Sequence, residues 1–183
     1  MDILTAIDTR ASASRLTAPA PTSEDLNRIL TAGARAPDHG RLAPWRFVVL
    51  EDRGLTEFAD ALAAARLRKD PDSSEADLNF ERSKAARAPM IVVIAARTNP
   101  AHKVPENEQV LAAAAAAQNM ILAAHALGFG TMWKTGAPAY DPTVKTALGL
   151  EPSDHIVAFL YLGTPVSEAR PRAVSLDGIV TRL

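Results

Sequence analysis

The longest hydrophobic stretch of the chain runs from Asn107 to Leu127 and has the composition of a single helix. Alanine, the residue with the highest helix propensity, fills most of its positions, and Gly128 follows as a C-cap. Apolar residues occur on nearly every face, which is typical of a buried helix. At about 1.5 Å per residue it would extend for roughly 30 Å, the width of a small domain. We therefore expect it in the core or in a dimer interface.

Three further apolar segments predict strands of a sheet. Trp45 to Leu50 is rich in the aromatic and β-branched residues that favour strands. Met90 to Ala96 and Ile156 to Leu162 are unbroken apolar runs, which is typical of strands buried on both faces. A shorter strand is expected over residues 130–134, and helices over residues 2–9, 22–35, 55–67, 75–86 and 141–148. This order predicts an α+β fold in which helices flank a mixed central sheet.

The end of the chain differs in character from the rest. From Gly163 onward it is polar and contains proline, apart from Ile179 and Val180. Those two residues could form a terminal strand, either in this chain or in the sheet of a partner. Because there is no internal repeat and no linker long enough to divide the chain, we expect a single domain over residues 1–183.

Composition narrows the class of protein. A hydrophobic fraction of 48%, a charged fraction of 22% and a net charge of −1 are those of an ordinary globular protein, with no global attraction to nucleic acid or anionic membranes. The chain has no cysteine, which excludes disulfides, thiolate metal sites and a cysteine nucleophile. The N-terminus lacks the basic start and apolar run of a signal peptide, so we expect a cytoplasmic location. The apolar sequence of the long helix is broken by three polar residues, Gln118, Asn119 and His125, which argues against a membrane span.

The first candidate site segment follows the N-terminal helix. Arg10, Ser12, Ser14 and Arg15 place two guanidinium groups and two hydroxyls within six residues. Arginine forks fit phosphate oxygens bidentately, so this segment could hold a phosphate. Taken alone, it is more typical of a solvated helix end.

The second candidate segment is a proline-braced loop that carries Arg35 and His39. Loops of this kind often hold ligand contacts, and His39 could donate a hydrogen bond to a bound ring or a substrate. The alternative is structural, because Asp38 and His39 could satisfy a turn while Arg35 caps the preceding helix.

The third candidate segment, Gly128 to Gly136, departs from the known phosphate-binding loops. Trp133 stands where a third glycine would complete a dinucleotide fingerprint, and it also replaces the second glycine of a P-loop. What remains is a turn followed by Trp133, Lys134 and Thr135, in which a cation and a hydroxyl could hold a phosphate. The alternative is an edge strand with a solvated lysine.

Other common kinds of site lack support. The four histidines show none of the spacings of a metal site, so no metal is expected. No serine lies in a G-x-S-x-G elbow, which leaves an esterase without support.

These segments, in this order, resemble the FMN-dependent nitroreductase family, and in particular its subgroup of small NAD(P)H nitroreductases. The resemblance covers essentially the whole chain, and its most specific part is the RAPDH…PW block. Its marks are Thr9–Leu16, Ile29–Glu51, His102–Gln109, His125–Ala137 and Phe159–Pro165.

The resemblance implies a homodimer that binds two FMN at its interface, where the long helices pack together and the tail reaches over the partner. One FMN would be held by Arg10, Ala11 and Ser12, with Arg35 and His39 approaching from the other protomer or the facing loop. Trp133, Lys134 and Thr135 would complete the phosphate end of the site. The expected nicotinamide contacts are Ala123, Ala124, His125, Ala126, Leu127 and Gly128.

The activity that the resemblance implies is ping-pong hydride transfer from NAD(P)H, through FMN, to a nitroaromatic or quinone acceptor. No residue is assigned as catalytic. Ala11 and Lys134 stand where the subgroup usually has arginine, which predicts weaker and more salt-sensitive FMN retention. Two alternatives remain open: a flavin-binding storage or sensing protein with little turnover, and another flavin reaction, such as flavin fragmentation or reductive dehalogenation.

Overall fold

The structure, a computed structural model, describes residues 1–183. Its helices are α1 Ile3–Thr9, α2 Ser23–Gly33, α3 Arg53–Lys69, α4 Glu75–Ser83, α5 Glu106–Ala126 and α6 Pro142–Ala147. Its strands are β1 Leu16–Thr17, β2 Trp45–Leu50, β3 Met90–Ala96, β4 Gly130–Lys134 and β5 His155–Pro165. Short 3₁₀ turns lie at His39–Arg41, Ala85–Arg87 and Ala137–Tyr140. The long helix and the strand segments predicted from hydrophobic patterning are thus confirmed.

The strands form one sheet in which β5 pairs with three of the other four strands. It pairs with β3 on one side, and β3 pairs with β2; on the other side β5 pairs with β4 and, further along, with β1. The α+β prediction is confirmed. Every ladder is antiparallel, so the parallel part of the predicted mixed sheet is limited to an isolated bridge between Ser12 and Thr131.

Side chains alternate along the central strand and divide the core between the two faces of the sheet. Residues Ile91, Val93 and Ala95 of β3 face a cluster that also contains Phe58 and Leu62 of α3. The intervening residues of β3 face the second cluster, built on α5 and Ile29 of α2. All seven residues of β3 are buried, because both faces of the sheet are covered.

Helix α5 lies against the sheet but leaves one lengthwise stripe uncovered. Leu111 is 62% exposed, and the partly or fully exposed positions after it recur every three or four residues to Ala126. Such spacing defines one side of a helix. Beside it, α1 leaves Ile3, Leu4 and Ile7 exposed. No helix of the molecule combines the length and the hydropathy that crossing a membrane requires.

Several boundaries differ from the sequence predictions. Helix α2 ends at Gly33 rather than near Arg35, and α4 ends at Ser83. Strand β5 continues past Gly163 to Pro165, because the backbone there pairs with β1 even though the residues are polar. Residues 179 and 180 are exposed and form no strand with this chain, so an intramolecular terminal strand was a wrong prediction.

Candidate functional site

The N-terminal segment is bound to β4 by its backbone. Ser12 bridges Thr131 in parallel register, and the Ala13 N–H donates to the Thr131 carbonyl at 2.9 Å. The approach is close at Gly130, where an added Cβ would lie 2.7 Å from a Leu16 methyl. The structure therefore brings residues 10–12 alongside the strand that leads to Lys134.

Strand alternation separates two neighbours that were predicted to act together. Trp133 packs against the cluster on the α5 face and donates from Nε1 to the Val157 carbonyl at 3.1 Å. Lys134 and Thr135 line a cavity together with residues of the opposite face. Because successive strand residues point to opposite faces, Trp133 is a packing residue of this chain, whereas Lys134 opens to the cavity.

The cavity has a volume of about 360 Å³ and an apolar, aromatic floor. Phe58 and Leu62 come from α3, while Phe159 and Tyr161 come from β5. The rings of Phe58 and Phe159 lie 5.2 Å apart between centroids and are tilted by 34°. The remaining apolar or small lining residues are Ala65, Gly136, Ala137 and Pro138. A floor of this kind suits a flat, apolar ring.

The walls of the cavity carry more positive than negative charge. The cations are Arg66, Lys69, Lys84, Arg87 and Lys134, and the carboxylates are Glu81 and Asp141. Lys84 pairs with Glu81, Arg66 pairs with Asp70 outside the lining, and Arg68 pairs with Asp141. Three lining cations, Lys69, Arg87 and Lys134, have no carboxylate partner in the chain.

A second, smaller cavity of about 80 Å³ adjoins the first. Arg87, Lys134 and Tyr161 line both cavities, and the smaller one adds Ser14 from the N-terminal segment. Burial raises the pKa of the Tyr161 phenol, and the positive charge of Arg87 opposes that rise, so the phenol is neutral at pH 7. The boundary between the cavities is therefore cationic and rich in hydrogen-bond donors.

The second candidate segment lies at the opposite end of α5 from the first. His39 contacts Glu108 in the first turn of α5, with 2.6 Å between Nδ1 and Oε2. Thr9 contacts His125 in the last turn, with 2.9 Å between Oγ1 and Nε2. Seventeen residues of helix at 1.5 Å each separate these turns by roughly 25 Å. Within one chain, then, His39 and Arg10 do not meet.

The loop that carries His39 is held in an unusual backbone conformation. Gly40, Arg41 and Ala43 all have positive φ, at 78°, 55° and 45°. The Asp38 carboxylate accepts a hydrogen bond from the Ala43 N–H at 2.6 Å and keeps the loop closed. Left-handed conformations are unfavourable for arginine and alanine and tend to occur at functional sites. Arg35, just after α2, is exposed and makes no side-chain hydrogen bond or ion pair within the chain.

The predicted nicotinamide segment forms the last turn of α5 and its C-cap. Ala124 is fully buried, so it offers no surface to a ligand. Ala126 and Gly128 are exposed, and Gly128 has a positive φ of 89°. Any ligand contact of this segment therefore involves its exposed side.

Sequence reasoning missed most of the residues that line the large cavity, among them Arg66, Lys69, Arg87 and Tyr161. Arg66 and Lys69 lie near the end of the helix predicted over residues 55–67, where charged residues are common, and Tyr161 lies in an apolar strand. One local signal was available: side chains alternate in direction along a strand, so Trp133 and Lys134 of β4 must face opposite sides of the sheet. No local pattern identifies Arg87, which reaches the site through the packing of the turn before β3.

Comparison with known proteins adds independent findings. The profile described as "Nitroreductase family" matches residues 7–164. The chain is 43% identical over 169 residues to YdjA of Escherichia coli (strain K12), a protein provisionally named an NAD(P)H nitroreductase, with 92% of this chain and 91% of YdjA covered.

Solved structures agree in fold. A nitroreductase-like family protein from Bacillus cereus superimposes with a TM-score of 0.86 at 22% identity and covers 100% of this chain and 96% of its own. A protein from Desulfovibrio desulfuricans, provisionally assigned as a nitroreductase and crystallised in complex with FMN, gives a TM-score of 0.77 at 27% identity, with 100% and 97% covered.

Proposed function

The chain belongs to the nitroreductase family, a family of oxidoreductases, and from that premise we propose that it is an FMN-dependent NAD(P)H oxidoreductase acting on nitroaromatic or quinone-type acceptors. The proposal treats residues 1–183 as one flavin-binding domain. It keeps the cytoplasmic location expected from the sequence as a prediction.

The observation that carries this proposal is the joined pair of cavities beside β4. FMN is a phosphate ester with a large flat ring, so it needs cationic and hydroxyl groups at one end and an apolar surface at the other. Lys134 and Arg87, both without carboxylate partners, supply the first requirement together with Thr135 and Ser14. The aromatic floor supplies the second, and the related D. desulfuricans protein was crystallised with FMN.

The positions of the predicted segments support a dimeric site. Arg10 and His39 lie at opposite ends of α5, so antiparallel packing of two α5 helices would bring Arg35 and His39 of one protomer towards residues 10–12 of the other. The uncovered stripe of α5 and the exposed apolar side chains of α1 offer the surface for that packing. We therefore propose a homodimer in which each flavin is held by both chains.

The chain itself would bind and orient rather than carry out the chemistry. Bound FMN supplies two-electron transfer, as hydride from NAD(P)H and then to the acceptor in a second half-reaction. For a nitroarene, the balance is NAD(P)H, one proton and ArNO₂ giving NAD(P)⁺, ArNO and water. Lys134 and Arg87 would neutralise anionic groups, and the aromatic floor would exclude water. We assign the proton to solvent, because the two lining carboxylates are paired with Lys84 and Arg68, and the raised pKa of Tyr161 makes its phenol a poor proton donor.

The test begins with the purified protein. It should be yellow, or become so with added FMN, and should oxidise NADH or NADPH when menadione is present. Protein that takes up no flavin would contradict the proposal. Flavin that binds tightly but is reduced by neither nucleotide would instead favour the storage or sensing alternative.

A single substitution tests the assignment of Lys134. Lys134→Gln should weaken FMN binding roughly tenfold and reduce its dependence on salt, because one charge-assisted contact is lost. Lys103→Gln, which removes an exposed charge that lines neither cavity, is the matched control. Equal FMN affinity in both variants would remove Lys134 from the site.

A further inference from the structure

The last turn of α3 contains three basic residues, and their partners differ. Arg66 contacts Asp70 at 2.8 Å, and Arg68 contacts Asp141. Lys69 has no carboxylate within 4.0 Å, yet it lines the large cavity. Basic residues are common in a last helical turn, where they oppose the helix dipole. Here two of the three are neutralised locally, and the third is left facing a cavity.

Lys69 is also distinct from the cations proposed to hold the FMN phosphate. Arg87 and Lys134 line both cavities, whereas Lys69 lines only the larger one. One FMN carries one phosphate group, so two cations beside the smaller cavity suffice for it. The positive charge of Lys69 on the α3 wall is therefore available to a second ligand that enters the large cavity.

We propose that Lys69 forms an anion-binding subsite on the α3 wall of the large cavity, which selects electron acceptors bearing a carboxylate or similar anionic group on an aromatic ring. The inference deepens the proposed function and rests on it, because the acceptor is assumed to react at the flavin bound in this cavity. It names a substrate class that the nitroaromatic or quinone assignment leaves open.

The shape and charge of the cavity support this choice of ligand. The flavin ring would cover the floor formed by Phe58, Phe159 and Tyr161, and an acceptor stacked on that ring would lie in the part of the cavity that Lys69 lines. The two carboxylates that line the cavity are already paired, Glu81 with Lys84 and Asp141 with Arg68, so neither competes for Lys69. An acceptor with an anionic substituent would give Lys69 the ion-pair partner that the chain does not supply.

The experiment compares two acceptors of nearly equal size, 4-nitrobenzoate and 4-nitrobenzamide, with the flavin-loaded dimeric protein. The readout is the ratio of their kcat/KM values, and flavin content is measured by absorbance for each variant. Lys69→Gln should lower the benzoate-to-benzamide ratio roughly three- to tenfold, because a partly solvated charge contact is lost. Dividing the variant ratio by the wild-type ratio cancels the intrinsic reactivity of the two compounds.

Arg53→Gln provides the control, since it removes the same charge from the other end of α3, where Arg53 pairs with Glu57. The Arg53→Gln variant should have the same benzoate-to-benzamide ratio of kcat/KM values as the wild type. In the wild type, raising salt to about 0.5 M should lower the ratio, because that concentration screens charges beyond a few ångströms.

Three outcomes would overturn the inference: an unchanged ratio in Lys69→Gln, an equal loss in Arg53→Gln, and a change confined to the preference between NADPH and NADH. The last would assign the charge to the reductant's extra phosphate instead. Protein that binds no flavin, or that fails to reduce neutral menadione, contradicts the proposed function itself, so the two failures are distinguishable.

Discussion

Asp154 is fully buried, and three donors satisfy its carboxylate. Arg97 donates from Nε and a terminal nitrogen at 3.1 and 3.0 Å, and the Glu151 N–H donates at 3.0 Å. Burial alone would raise the pKa of Asp154, but these donors hold that pKa below its usual 3.8. The interaction ties the turn before β5 to the end of β3.

Asp154→Asn should therefore lower the free energy of unfolding by about 2–3 kcal/mol at pH 7, because buried donors lose a charged acceptor. Urea denaturation followed by circular dichroism measures this change. Glu57→Gln, which breaks the exposed Arg53 pair, should cost less than about 1 kcal/mol and serves as the control.

The sign of the pH dependence follows from the lowered pKa. A carboxyl group with a depressed folded-state pKa stabilises the protein above its unfolded value and loses that contribution as the pH falls through the folded-state value. The stability difference between wild type and Asp154→Asn should thus be full above pH 3.8 and shrink below it. A difference that is constant down to pH 2 would contradict the assignment.

At the scale of elements, two glycines differ in the space available for a side chain. Packing excludes a Cβ at one of them and permits it at the other. An added Cβ at Gly163 of β5 would lie 2.6 Å from Pro89 Cδ and 3.0 Å from the Thr17 carbonyl oxygen, both rigid. At Gly54 of α3, the nearest atoms would lie at 3.7 Å, an ordinary contact.

Gly163→Ala should destabilise the protein by about 2–3 kcal/mol, because the turn before β3 and β1 must move apart from β5. Gly54→Ala should stabilise it by about 0.5 kcal/mol through helix propensity and lower unfolded-state entropy. Thermal unfolding of the two variants checks both signs. A Gly163→Ala protein as stable as the wild type would contradict the prediction, because it would show that Pro89 and β1 can move away from β5 at little cost.

The elements were more predictable than their boundaries. Apolar runs and alanine content identify β3 and α5, since burial on both faces dictates their composition. The extension of β5 to Pro165 depends on backbone pairing with β1, which apolar periodicity does not report. Of the candidate site, the sequence could supply Lys134 and the N-terminal segment, while Lys69 and Arg87 depend on how distant turns pack.

At the scale of the whole molecule, the exposed stripe of α5 is the surface that the second copy would cover in the proposed dimer. Leu111→Lys places a charge on that stripe, and a charge buried in an interface costs several kcal/mol, so the dimer dissociation constant should rise at least about a hundredfold. Sedimentation velocity over a concentration series measures it. Because Leu111 is exposed in the single chain, folding of the monomer should be unaffected.

Leu67→Lys is the matched control for this prediction, since Leu67 is an exposed leucine on α3, which covers the opposite face of the sheet. It should leave the dissociation constant unchanged. Equal weakening by both substitutions would place the contact elsewhere, and no weakening by Leu111→Lys would exclude the α5 stripe from the dimer.

The roughly 25 Å between the two ends of α5 has a kinetic consequence. If each flavin needs the His39 end of one chain and the Arg10 end of another, an isolated subunit holds only half of every site. Turnover per subunit would then decline as the enzyme is diluted towards its dissociation constant, and mixing two inactive variants, each damaged at a different end, would restore part of the lost rate.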